Sequence, residues 1–235
     1  MVGVSCVSDP DATHASGGTQ SWDERSAADR LAAAQAILRG QGATLDALQE
    51  LASALKNHDK RFTPARRLLL RARRHEAFTA QPQRRRHKIL QQLALCTYKD
   101  DDLPAERRFA RALEWLKEIA ELNELADQES LCLAGAIFKR QWESTGQVAH
   151  LKRALAFYHR GHAAAAPGTA AYDGYAAINA AYVSDVLALE ETKNDPNRTQ
   201  KTGTRAASRK IIRGEARSKT SPDCCAGAGV TSFSP

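Results

Sequence analysis

Three times along the chain the same spacing returns: Ala65, Leu69 and Ala72; Ala112, Leu116 and Ile119; Ala154, Tyr158 and Gly161. A small residue, a large one four positions on, and a small or apolar one three further share one face of an α-helix. The segments before them recur as well, residues 92–99 (QLALCTYK) matching residues 132–139 (CLAGAIFK) at a period of about 40 residues. A chain built this way is confined to an array of helix pairs, each unit burying its apolar face against its neighbours.

The unit between residues 131 and 158 shows the packing most clearly. Leu131, Ala134, Gly135 and Phe138 fall on one helix face and Leu151, Ala154, Leu155 and Tyr158 on another, with a polar turn, residues 144–147, between them. Gly135 and Ala154 allow close approach of the two helices, and the rings of Phe138 and Tyr158 fill the space beside them.

Small-small-x-x-aromatic followed by Ala-x-x-x-aromatic resembles the tetratricopeptide repeat, whose signature is W-x2-L-G-x2-Y and then A-x3-F. Gly135 and Ala154 are 19 positions apart. That is an excess of about seven residues over the ordinary unit, or one extra turn for each helix. With residues 175–181 (YAAINAA), the lengthened unit is similar to bacterial repeat proteins that share a domain with the TRAF-binding region of the apoptosis-signal MAP kinase kinase kinases; Ala177 stands where that motif has Gly. The resemblance implies a signalling or stress context in which such repeats serve as scaffolds or sensors beside separate effector domains.

The expected fold is therefore all-α, a tetratricopeptide-like α-solenoid of antiparallel helix pairs over residues 27–192. Residues 1–26, rich in Ser, Gly, Asp and Thr, read as a disordered leader with Trp22 exposed in it, and residues 193–235 as a disordered basic tail. A first helix over residues 27–39, closed by Gly40, caps the array. The next pair begins with residues 45–56, and its second helix starts at Thr63-Pro64, read as an N-cap followed by proline at the first helical position. The run Lys99-Asp100-Asp101-Asp102-Leu103-Pro104 reads as a connection whose acidic residues cap the following helix. Trp115 and Trp142 are expected between successive units. After the break at Pro167-Gly168 comes one more helix, carrying Ile178, Ala181, Val186 and Leu189, with no recognisable partner; such an unpaired helix before an abrupt change of composition suggests a truncated or frame-shifted member of a longer family, and self-association through the bare helix.

The formal charge of +7 is unevenly spread. Residues 61–88 hold ten Lys or Arg against Glu76 alone, and residues 194–235 hold eight against three acids, which leaves the remainder of the chain acidic. The arginine block reads first as a solvated helix face and basic turn meeting that acidic remainder, and otherwise as a surface for an acidic protein or for nucleic acid. Phosphate contacts would make nucleic-acid binding steeply salt-dependent, but only Phe62 and Phe78 lie near enough to stack on bases.

Five cysteines without metal-like spacing argue against a disulfide framework, and Cys96 and Cys132 read as small buried hydrophobes. The amino terminus lacks the basic start and apolar length of a signal peptide, and the default compartment is the cytoplasm. His159 and His162 share a helix face but read as solvated. No phosphate-binding glycine loop, nucleophile elbow or H-E-x-x-H motif occurs, so no catalytic residue, cofactor or metal is assigned. The function expected is protein-protein interaction, an acidic peptide or protein bound on the concave face by the first helix of each unit, with Lys56, Lys99, Lys139 and Arg140 as partner-binding residues. The alternatives are a nucleic-acid-binding protein using residues 61–88 and the tail, or a truncated product without function.

Overall fold

The computed structural model describes residues 21–165 and 174–194. Residues 1–20 of the expected leader over 1–26, the Pro167-Gly168 break and residues 195–235 of the expected tail over 193–235 lie outside the described residues. Regular structure within them is helical: α1 (Ala27–Leu38), α2 (Leu45–Asn57), α3 (Phe62–Arg74), a 3₁₀ turn (Glu76–Phe78), α4 (Gln83–Tyr98), α5 (Ala105–Lys117), α6 (Gln128–Thr145), α7 (Val148–Ala164) and α8 (Tyr175–Asn194). The pairs α2/α3, α4/α5 and α6/α7 pack on each other across short connections, and successive pairs meet through α3 on α4 and α5 on α6. At the ends α1 packs on α3 and α2, and α8 packs on α7.

The repeated positions lie where the helices of a pair meet. Ala65, Leu69, Ala72, Ala112, Leu116, Ala154, Tyr158 and Gly161 are buried. A Cβ on Gly135 would stand 3.0 Å from the Tyr158 ring, so only glycine lets that ring lie flat against α6. A Cβ on Gly161 would lie 3.1 Å from the Cys132 sulfur. The buried apolar residues form two clusters that divide within α6. The larger runs from Ala34 through Trp115 to Ile137; the smaller joins Cys132 and Phe138 of α6 to Leu151, Tyr158, Val183 and Leu187. Cys96 is buried too, and its surroundings push the thiol up to about 12.

Helix ends explain where the sequence reading missed. Ser26, Thr44 and Asp127 accept hydrogen bonds from the amides of Asp29, Ala47 and Ser130 and so start α1, α2 and α6, and Gly146, at φ +69°, closes α6. Thr63 is no N-cap. Helix α3 begins at Phe62, two residues before the start expected at Pro64, and the Thr63 hydroxyl donates instead to Asp100 Oδ1 at 2.6 Å. Asp100 is fully buried, its other oxygen accepting from Arg66 Nε at 2.5 Å, while Pro104 takes the N-cap position of α5 without a side-chain hydrogen bond. The acid expected to cap α5 thus fastens α3 to the α4–α5 connection. Trp22, expected to be exposed, is half-buried on the larger cluster, and Arg30 fixes the segment it belongs to by donating to the Trp22 and Arg25 carbonyls and pairing with Asp59 at 2.6 Å. Trp115 is buried in the larger cluster and Trp142 packs on the smaller. No described helix is long and apolar enough to cross a membrane.

Candidate functional site

The first helices α2, α4 and α6 lie side by side and are tied by polar side chains about one repeat apart. Gln92 donates to Ser53 Oγ at 3.2 Å, Gln91 to Asp127 Oδ1 at 2.8 Å and Ser130 Oγ at 3.0 Å, and Lys139 to Asn179 Oδ1 of α8 at 3.2 Å. Buried amides that bond across the helices, not along them, hold the stack in one register. Above this layer the same helices line a groove of about 1890 Å³, with Trp22 at its α2 end and Tyr175 of α8 at the other. Its walls carry Asp46, Glu50 and Ser53 from α2, Arg84, Arg85 and Lys88 from α4, and Glu129 and Leu133 from α6.

The two edges of this surface differ in charge. At the N-terminal ends of the helices opposite charges alternate: Arg85 pairs with Asp46, and Lys88 with Glu129 at 3.2 Å, each ion pair bridging adjacent units. At the C-terminal ends the helices present Lys56, Lys99 and Arg140, beside Lys60. Burial lowers the pKa of Lys56, and for Lys99 burial acts together with the charges of Arg140 and Lys60. Depressed lysines here mean ammonium groups partly cut off from water.

The four residues expected to bind a partner have different surroundings. Lys99 is exposed in the groove, its amine 5.3 Å from the centre of the Phe62 ring, and it also lines an adjoining recess with Tyr98, Phe109 and Arg140. Arg140 is exposed there and pairs with Glu143, whose hydrogen bond raises its pKa. Lys56 is half-buried, close enough to Lys99 to repel it. Lys139 points elsewhere: half-buried, it bonds Asn179 and lies 5.1 Å from the Tyr182 ring, holding α8 against α6.

The arginine block divides in a way that composition does not reveal. Arg66 pairs with Asp100, Arg73 with Glu118 at 2.8 Å, and Arg71 donates to the carbonyls of Ile37 and Gln41. Arg160, six residues after Ala154 as Arg71 is after Ala65, donates likewise to the carbonyls of Leu122, Asn123 and Leu125. Arg71 and Arg160 thus hold the connections that precede the α2/α3 and α6/α7 pairs. Arg84 to Arg86, expected in a turn between units, belong to the first turn of α4, and Arg84 and Arg85 face the groove. The signal for this was Pro82 just before the run, the residue that marks a helix start. His159 is exposed and His162 half-buried, and no group of three His, Cys, Asp or Glu that could hold a metal occurs among the described residues.

The family model described as Tetratricopeptide Repeats-Sensor matches residues 61–184, about half of the chain. No curated protein and no solved structure matches it.

Proposed function

The chain belongs to the Tetratricopeptide Repeats-Sensor family, and from that premise we propose that it is a non-enzymatic recognition module whose α2–α4–α6 groove binds a peptide or helix of a protein partner. The observation that supports this reading is the groove itself, continuous across three first helices and bounded by Trp22 and Tyr175. Side-chain amides fix its floor, so the surface is formed before a partner arrives and little ordering has to accompany binding. Lys56 and Lys99 suit an acidic segment of that partner, since a carboxylate beside them would offset their burial, and Arg140, already paired with Glu143, adds a cation in the adjoining recess. Lys139 is a supporting residue in this reading, acting through α8. The word sensor in the family description and the resemblance to the TRAF-binding region both favour a signalling setting.

The nucleic-acid alternative loses much of its charge to internal contacts. Arg66, Arg73, Arg85 and Lys88 have carboxylate partners and Arg71 holds backbone carbonyls, which leaves Arg61, Arg67, Arg74 and Arg84 as the other exposed cations of residues 61–88, with Arg67 and Arg74 on α3.

Affinity capture with a charge-reversed groove separates the two. Lys99→Glu with Arg140→Glu is expected to abolish capture of the partner. Arg67→Glu with Arg74→Glu is expected to leave it unchanged, as is nuclease treatment. Cross-links from the captured protein are expected on α2, α4 and α6. Loss of capture only in the α3 variant, together with nuclease sensitivity, would overturn the groove assignment in favour of phosphate contacts.

A further inference from the structure

Tyr175, Ile178, Tyr182 and Leu189 are the large apolar side chains that stay exposed among the described residues, and all four lie on α8. Their spacing of three, four and seven residues sets them in one strip along the helix. The opposite face, Ala176, Ala180, Val183 and Leu187, is buried against the rest of the array. Ile178 is 68% exposed, more than a solvated edge of a core helix requires, and a continuous apolar strip of this kind marks a contact surface.

We propose that the strip is covered by α8 of a second copy of the chain, the two helices running antiparallel about a two-fold axis at Tyr182. Self-complementarity decides the occupant, because a two-fold contact sets residues equally far from the axis against each other. An axis at Tyr182 brings Ile178 against the half-buried Val186 of the second copy, Tyr175 against its Leu189, and the two Tyr182 rings together. It also brings Asn179, where the Lys139 amine is anchored at 3.2 Å, against Asp185. Apolar side chains thus meet apolar ones along the whole strip, and its acid meets the amine beside it.

The test uses the full chain and does not depend on what the groove binds, since partner capture can fail while the dimer persists. Light scattering is expected to give twice the chain mass of 25.6 kDa. Tyr182→Lys and Tyr182→Glu are each expected to give monomers, because either places like charges together at the axis. An equimolar mixture of the two is expected to recover the dimer. Both variants should keep the wild-type helical signal, as the Tyr182 side chain is 49% exposed. A monomeric wild type, two variants that stay dimeric, or a mixture that stays monomeric would each overturn the proposal.

Discussion

Gly135 shows how much of this fold hangs on single atoms. The Tyr158 ring lies 3.0 Å from where its Cβ would be, so a larger side chain there crowds the ring between α6 and α7, whereas Ala156, two residues before Tyr158, is exposed. Gly135→Leu is expected to destabilise by about 1 to 3 kcal/mol, the usual cost of overpacking, and Ala156→Leu by much less. Thermal melts of the two variants check it, and equal losses would mean that the ring can move aside. This contact was legible in the sequence because it is a matter of spacing within two neighbouring helices. The role of Thr63 was not. Its hydroxyl is taken by Asp100, 37 positions away, and a cap that looks sound locally loses to a partner brought in by the fold.

At the scale of the element, the same Asp100 decides how α3 meets the α4–α5 connection. Burial alone would push its carboxyl up, but hydrogen bonds from Thr63 and Arg66 outweigh that and hold it below the ordinary value. Asp59 is held down likewise by its hydrogen bond from Arg30. A lowered folded pKa means that the unfolded chain binds the proton more readily. The stability these acids add is therefore full above the unfolded value near ~4 and drains as the pH falls through the lower folded values. The melting temperature is expected to fall as the solution is acidified below about pH 4, and Asp100→Asn to lower it at neutral pH and flatten that fall. Leaving Arg66 without its buried counter-charge costs about 3 to 5 kcal/mol. An Asn variant as acid-sensitive as the wild type would remove Asp100 from the account. Helices and their pairing could be read from periodicity because those signals repeat within each unit. The destination of each arginine could not, since Arg66, Arg73 and Arg85 find their partners 34, 45 and 39 positions away.

For the whole molecule, the groove was foreseen as a surface of first helices, but its alternating charge was not, because Asp46 and Glu129 stand on other helices than the cations they pair with. Only stacking sets them against Arg85 and Lys88. The division of the apolar core within α6 has a further effect. A molecule with two cores has a seam, and α7 and α8 can come away while α2 to α5 keep theirs intact. Amide hydrogen exchange is expected to show two classes of protection, with α7 and α8 opening at lower free energy; one uniform class would mean that the seam is welded. The groove runs across that line, its walls built on one side and its end, Tyr175, on the other. Whatever fills it acts as a clamp, and the slowing of exchange should be greatest in α8, far from most of the atoms the ligand touches.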